Sequence, residues 1–383
     1  MREHLNKISE ISRISSMHVY TRDNERVENA IKHYPQCGKV ISYTRITQGH
    51  INDTFRVDAE NGVFLLQKVS AVAFKEPLKV MKNIVGVTRF LHDKIVEEGG
   101  DPMKGCLNLL VSSEGTPYWL NEKGQVWRMY YFVEGISFDT PKNPEMFGKA
   151  AEAFGRFQHL LEEFPANELE EVIPHFHDTP KRFAALEEAI AKDAMGRKKE
   201  VEDLIRIAYE RKDRIHRIVD GLASGELPLR TTHNDTKLNN IMFDEKGEEP
   251  LCILDLDTIM PGSALYDFGD SIRFGANTCA EDERDTSKIH FNLEMFKAYA
   301  QGFIKGAEGS LTEKEIRLFP YSAWLLTFEC GIRFLTDYLN GDVYFHIDCP
   351  DHNLVRAKDQ FALFLDMERH QEDADRIIEE LLK

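Results

Sequence analysis

The middle of the chain holds side chains spaced for chemistry on phosphate. The stretch Thr232-His233-Asn234-Asp235-Thr236-Lys237-Leu238-Asn239-Asn240 contains the pattern H-x-D-x4-N at His233, Asp235 and Asn240. Just downstream, the apolar run Leu251-Cys252-Ile253-Leu254 ends in Asp255-Leu256-Asp257. It reads as a buried strand that delivers a carboxylate at its exposed end. Phosphoryl transfer asks little covalent work of a protein. It needs a metal on the phosphates, in-line positioning, and a group that orients the nucleophilic hydroxyl and takes its proton. Asp235 suits the last task, while Asn240 and Asp255 are hard oxygen donors that suit Mg2+. Alone, the pattern also reads as a polar loop with an Asx turn. The acid-ended strand behind it and a strand-rich region ahead of it favour the phosphoryl-transfer reading.

The elements that must position these groups fall into two textures. After an opening helix with Val27, Ala30, Ile31 and Tyr34 on its apolar face, strand-like runs span 39–47, 51–57 and 63–69. The pair Asn61-Gly62 between the last two is a hairpin signal. A helix is expected over 77–98, stopped by Gly99-Gly100, followed by strand-like runs at 106–111, 117–120 and 125–133. Glu134-Gly135 and Thr140-Pro141 mark a break. Beyond it come long helical patterns at 144–163, 179–195 and 197–222, short strand-like pieces near 230–232, 241–243 and 251–254, and helices from Tyr266 to the end. The expected fold is α+β and bilobal, protein-kinase-like, with a small β-rich lobe at 1–134 and a large helical lobe at 135–383. A cleft between two lobes is a usual place for a ligand.

Composition narrows the function classes. The 383 residues carry a formal net charge of −17, which repels polyphosphate backbones and argues against nucleic-acid binding. No apolar run approaches the ~18–20 residues of a membrane span, and the first twenty residues show no apolar leader core. The six cysteines are irregularly spaced with no C-x-x-C pair, which fits reduced thiols in a cytoplasm and no zinc site. A monomer or weak homodimer is expected.

Protein kinases use H-R-D-x4-N followed by an acidic metal ligand. The chain resembles the small-molecule relatives of those enzymes, the aminoglycoside phosphotransferase and choline kinase superfamily. Within it, Gly49-His50-Ile51-Asn52-Asp53-Thr54, Leu66-Gln67-Lys68, His233–Asn240 and Asp255-Leu256-Asp257 look most like N-acetylhexosamine 1-kinases, with the Arg333 helix and Tyr344 in support. The similarity runs over nearly the whole chain after about residue 20. It implies ATP and Mg2+ as cofactors, Asp235 as catalytic base, Asn240 and Asp255 as metal ligands, and His233 as a shaper of the loop. Asp257 would be a second metal contact or a solvated acid. The tripeptide Asp267-Phe268-Gly269 spells the protein-kinase metal motif, but it follows Asn240 by 27 residues where Asp255 follows by 15. The resemblance puts a structural, buried Asp at 267.

On the nucleotide side, Gly49, Asn52 and Thr54 belong to a hairpin loop expected over the ATP phosphates. Lys68 would approach the α and β phosphates, although Gln67 points to the opposite face. A kinase-type helix should carry a mid-helix Glu for that lysine. The expected helix has none, so either Glu76 serves or the ion pair is absent. Tyr131, Phe132 and Val133 fit a hinge at the adenine edge. On the acceptor side the resemblance nominates His50, Phe274, Arg333 and Tyr344 beside Asp235. Arg333 lies four residues after Glu329, a spacing that also makes a surface ion pair. The implied reaction is direct transfer of the γ-phosphoryl group to the anomeric hydroxyl of N-acetylglucosamine or N-acetylgalactosamine. The alternative is a kinase of an amino alcohol such as choline or of an aminoglycoside. A binding module without activity is disfavoured by the complete set Asp235, Asn240 and Asp255. The C-terminal acids, among them Glu368, Glu372 and Glu380, read as a solvated helix face.

Overall fold

The computed structural model describes residues 20–47 and 51–383, and the expectations for Gly49 and His50 lie outside these. The chain divides into two compact units, one reaching up to Met81 and including Asn108–Phe132, the other comprising Lys82–Leu107 and Val133–Lys383. Among the described residues no helix is long and apolar enough to cross a membrane.

The first unit holds helix α1 (Tyr20–Lys32) and five strands: β1 (Val40–Ile46), β2 (Asp53–Ala59), β3 (Gly62–Lys68), β4 (Trp119–Leu120) and β5 (Val126–Tyr131). They form an antiparallel sheet in the order β1-β2-β3-β5-β4. Side-chain alternation gives the sheet two unlike faces. Phe55, Val57, Phe64, Leu66, Trp127 and Met129 form one core with Val27, Ala30 and Ile31 of α1 and with Tyr34 just after it. The Tyr34 hydroxyl donates to the Trp127 carbonyl (2.9 Å), which anchors the helix. The other face is polar: Gln67 Nε2 donates to Thr54 Oγ1 (3.2 Å), and Arg128 donates to Gln67 Oε1 through Nε and Nη2 (3.0 and 2.7 Å). The strand expected at 106–111 does not form. Only an isolated bridge joins Leu109 to Tyr130, because the segment leaves a short helix at Pro102–Gly105 and Asn108 O is bonded by Tyr131 N.

Helix α2 (Pro77–Glu97) continues into the second unit, which also contains α3 (Pro144–Leu160), α4 (Thr179–Lys192), α5 (Ala264–Gly275), α6 (Leu293–Gly306), α7 (Phe319–Asn340) and α8 (His352–Arg369). Two short antiparallel pairs, β6 (Arg230–Thr232) with β9 (Met260–Gly262) and β7 (Ile241–Phe243) with β8 (Pro250–Ile253), lie between α4 and α5 in sequence. Helices α3 and α6 meet backbone to backbone. A Cβ on Gly302 would lie 2.0 Å from Gly148 O, and one on Gly155 2.2 Å from Phe303 O, so only glycine fits either crossing point. Helix α7 is buried along most of its length.

The long helix expected at 197–222 is broken into Glu202–Tyr209 and Arg217–Ser224 with single 3-10 turns around them. Side-chain anchoring overrides helix propensity there. Arg211 donates to both oxygens of Glu368 (2.9 and 2.7 Å), and Arg214 and the Trp324 indole donate to Glu368 Oε1 (2.8 and 3.0 Å). Glu368 is therefore the acceptor of a tertiary network rather than part of a solvated face.

Candidate functional site

Strand β6 leads into the loop His233–Lys237, and a single 3-10 turn at Leu238–Asn240 carries the chain into β7. The loop is built around one buried carboxylate. Asp267, on the first turn of α5, is 1% exposed. Its oxygens accept the backbone N–H groups of His233 (3.0 Å) and Asn234 (2.7 Å), and Gln158 Nε2 of α3 adds a third bond (2.9 Å). Burial pushes its carboxyl above the usual range, against the pull of His233 and these N–H donors. The Thr236 hydroxyl donates to Asp267 O (2.6 Å), so the same residue holds both ends of the tight stretch. Asn234 adopts a left-handed backbone (φ 66°), a conformation Asn tolerates, and its amide bonds the carbonyls of Thr232 and Thr258 (3.1 and 2.8 Å).

His233 is fully buried and edge-on to Phe154 and Phe157. Its Nε2 lies 2.8 Å from Leu254 O, and its Nδ1 accepts from Asp235 N (3.3 Å). These partners fix the tautomer with hydrogen on Nε2. His233 thus ties the loop to the residue just before Asp255. A second tie joins Leu254 N to Asn240 O (2.8 Å). The two ties bring the stretches carrying Asp235, Asn240 and Asp255 together through backbone contacts.

Asp235 is partly exposed and has two side-chain neighbours. Lys237 Nζ lies 3.0 Å from its Oδ1, and Asn240 Nδ2 donates to its Oδ2 (3.2 Å) and its carbonyl (2.8 Å). With its nitrogen so engaged, the Asn240 amide presents its oxygen on the opposite side. Asp235 raises the affinity of Lys237 for its proton. Asp255 is exposed and left-handed (φ 51°), which turns its side chain away from the direction of the strand. Asp257 is 3% exposed, which removes the solvated-acid reading for that residue. Among the described residues no three His, Cys, Asp or Glu side chains form a metal cage. Mg2+ needs no such cage, since one or two carboxylates plus substrate phosphates and waters complete its shell. The Asn240 oxygen and the Asp255 carboxylate fit that chemistry.

A second buried acid supports the loop from the same helix. Asp270 accepts Thr236 N (3.2 Å) and the Nε and Nη2 of Arg273 (3.1 and 2.9 Å). Burial raises its carboxyl, but Arg273 and Lys237 outweigh that and hold it below the usual range.

In the first unit, Lys68 forms an ion pair with Asp53, the residue directly opposite it in the β2–β3 register. Arg45 also donates to Asp53 (2.6 Å). Glu76 is paired with Lys79 (2.7 Å), which leaves Asp53 as the acid beside the strand lysine. Lys68 shares the alternation of Phe64 and Leu66, the face covered by α1, whereas Thr54 and Gln67 lie on the opposite, polar face. Asn52 Oδ1 accepts from Ser70 N (3.0 Å). In the hinge segment, Phe132 N donates to Val63 O (3.1 Å), Tyr131 is 39% exposed, and the chain returns to the second unit at Val133.

Of the acceptor-side nominees, Phe274 is half-buried beside the Arg273 guanidinium. Arg333 does not pair with Glu329. That acid is 1% exposed and accepts His177 Nδ1 (2.8 Å) and the Thr179 hydroxyl (2.7 Å). His177 Nε2 in turn lies 3.4 Å from Asn234 O, next to Asp235. Arg333 stacks among rings instead, with its Cζ 5.2 Å from the Phe176 centroid, 5.6 Å from Phe345 and 6.0 Å from Tyr344. Sequence reading missed Lys237, whose signal was the basic residue two positions after Asp235. It also missed the trio His177, Thr179 and Glu329, for which 150 intervening residues leave no local signal.

Residues 42–301 match the phosphotransferase enzyme family, more than half of the chain. The chain belongs to this family. Its structure is similar to that of an aminoglycoside phosphotransferase from Alicyclobacillus acidocaldarius, with 11% identity, a TM-score of 0.60, and 92% of this chain and 96% of the other covered. It is also similar to a spectinomycin phosphotransferase bound to AMP, with 14% identity, a TM-score of 0.58, and 91% and 98% covered. A choline kinase from Cryptosporidium parvum matches with 13% identity, a TM-score of 0.55, and 88% and 91% covered. At such identities the likeness is one of fold, and it is the protein-kinase-like fold of a small antiparallel sheet followed by a mostly helical unit.

Proposed function

We propose that this phosphotransferase is an ATP-dependent N-acetylhexosamine 1-kinase. The observation that carries the reading is the loop geometry around Asp235. Its carboxylate sits between Lys237 and Asn240 on a backbone fixed by Asp267, with the Asp255 stretch tied directly behind it. The sugar assignment is supported by the motifs around Asn52, Gln67 and Asp255 and by the ring-stacked arginine at 333.

In the proposed reaction the acceptor's anomeric hydroxyl lies against Asp235. Its oxygen attacks the γ-phosphorus, the bond to the β-γ bridging oxygen breaks, ADP leaves, and the hydroxyl proton passes to Asp235. The anomeric hydroxyl is more acidic than an ordinary alcohol, so a carboxylate base has less to do. Lys237, cationic and beside Asp235, offsets negative charge gathering on the transferring group. Mg2+, held by Asn240 and Asp255, would neutralise phosphate charge. Fixing the loop before substrate arrives removes reorganisation from the barrier.

A panel of N-acetylglucosamine, N-acetylgalactosamine, choline, homoserine and kanamycin with ATP tests the reading through ADP release and phosphorus NMR of the product. An anomeric phosphate signal from the N-acetyl sugars is expected. Turnover confined to basic acceptors would replace this reading with an amino-alcohol or aminoglycoside kinase.

A further inference from the structure

Both carboxylate oxygens of Asp235 are engaged. Lys237 Nζ lies 3.0 Å from Oδ1, and Asn240 Nδ2 donates to Oδ2 (3.2 Å). An oxygen held by an ammonium group is screened from an incoming hydroxyl, so one contact has to give before Asp235 takes a proton. The two contacts are unlike. Asn240 Nδ2 also bonds Asp235 O (2.8 Å), and Asn240 O accepts Leu254 N, so that amide is fixed at both ends. Lys237 has a long stem, keeps water contact and pairs with no acid but Asp235 among the described residues.

What holds Lys237 beyond that pair is charge from behind the loop. Asp270 of α5 is buried and accepts the N–H of Thr236, the residue just before Lys237 (3.2 Å). Arg273 Nε and Nη2 donate to Asp270 Oδ1 (3.1 and 2.9 Å), and Arg273 continues to Glu281. Charge sign thus alternates from Asp235 through Lys237, Asp270 and Arg273 to Glu281. Asp235 does most to raise the affinity of Lys237 for its proton, and Asp270 adds to this, while burial and Arg273 act the other way. Lys237 therefore stands between two acids, one that it touches and one that attracts it from inside.

We propose that the Asp235–Lys237 pair is a clasp opened by the γ-phosphoryl group of the donor, and that Asp270 is the positioning residue that keeps Lys237 beside the loop while the clasp is open. This deepens the proposed function and rests on it in taking Asp235 as the base; it does not depend on which acceptor is used. A γ-phosphoryl group carries more negative charge than a carboxylate, so it competes well for an ammonium group within reach. Lys237 then exchanges Oδ1 for phosphoryl oxygens, Oδ1 opens to the acceptor hydroxyl, and the cation stands where charge gathers. Only an ion pair is exchanged in this step, and no covalent bond changes. The base is uncovered when there is a group to transfer.

Two measurements test it, with whichever acceptor of the panel yields product. In the first, calorimetry gives the acceptor affinity with ADP bound and with a non-hydrolysable ATP analogue bound. The wild type should bind the acceptor about tenfold more tightly with the analogue, and Lys237→Met about equally with both. Equal affinities in the wild type, or an undiminished difference in Lys237→Met, overturn the clasp. The second is a double-mutant cycle in kcat and in KM for ATP. Asp270→Asn, which keeps an oxygen for Thr236 N, should lower kcat about tenfold with KM for ATP changed less than about twofold. In a Lys237→Met background it should cost almost nothing more. The same fold-loss in both backgrounds would make Asp270 a support of the fold alone and overturn its role. Glu281→Gln covers an Asp270→Asn chain that does not fold. It leaves the loop bonds intact and turns Arg273 wholly onto Asp270, so kcat should fall about threefold in the wild-type background and not in Lys237→Met. An equal loss in both overturns the role of Asp270 as well. Turnover confined to a basic acceptor would end the sugar reading and leave both tests in force, whereas a failed cycle with working N-acetyl sugars counts against the clasp and its support alone.

Discussion

The loop His233–Asn240 is held from behind, whereas the strand pair carrying Asn52–Lys68 is held across its surface. Behind the loop stand two acids of one helix, Asp267 and Asp270, both nearly excluded from water, and every bond they accept ends on the loop or on a group that steadies it. Around Lys68 the ties are an ion pair to Asp53 and a bond from Arg45 to the same acid, all on side chains that keep water contact. The first arrangement costs desolvation and yields a fixed geometry. The second is adjustable, because partly exposed pairs are worth little and exchange readily with a better anion. Chemistry needs the fixed kind where bonds change and tolerates the adjustable kind where a polyphosphate is gripped.

Substitutions on the two sides should therefore behave differently. The largest effect is expected for Asp255→Asn, which should abolish measurable turnover while leaving the melting temperature within a degree or so, since the residue is exposed. Asp267→Asn should be worse in a different way. One loop N–H loses its acceptor at a cost of about 1–3 kcal/mol, so turnover and melting temperature fall together. Equal stability of the two variants would break the contrast. Across the molecule, Lys68→Met should raise KM for ATP with a smaller change in kcat and little change in stability. If kcat alone collapsed, the strand lysine would belong with the fixed kind.

The smallest effect concerns stability alone. Asp359, in the second unit, is fully buried and its pKa is pushed up to about 7, chiefly by burial, despite bonds from Gln360 and Asn277. Its folded-state pKa lies above the ordinary aspartate value of about 3.9. It therefore contributes stability below that value and loses it as pH rises toward 7, with no further change above. Asp359→Asn should flatten that decline and raise the melting temperature at pH 8, which thermal denaturation across pH will show.

Much of the fixed region was legible from the chain because its parts are close in sequence. The spacing of Asp235, Asn240 and Asp255 survives folding because β7 and β8 are a hairpin whose ends meet. The partner of Lys68 was legible in principle too. Counting outward from the turn at Asn61-Gly62 sets Asp53 opposite Lys68, and alternation then sends both to the α1 side. The Glu329 network was not legible, because its members come from three distant segments and the i, i+4 spacing to Arg333 suggests a pair that tertiary packing replaces. Breaking of the helix after Tyr209 was hidden for the same reason: the acid that captures Arg211 lies 157 residues away.

Asp235→Asn tests the central claim most directly. The substitution keeps the size and one oxygen of the side chain and removes its charge, including the pairing with Lys237, and its capacity to take a proton. Rate constants for γ-phosphoryl transfer from ATP to the proposed acceptor, N-acetylglucosamine, should drop on the order of 10²–10⁴-fold, with melting temperature and nucleotide affinity nearly unchanged. A variant that transfers phosphate at close to the wild-type rate would show that Asp235 is not the base, and the account of the loop would fall with it.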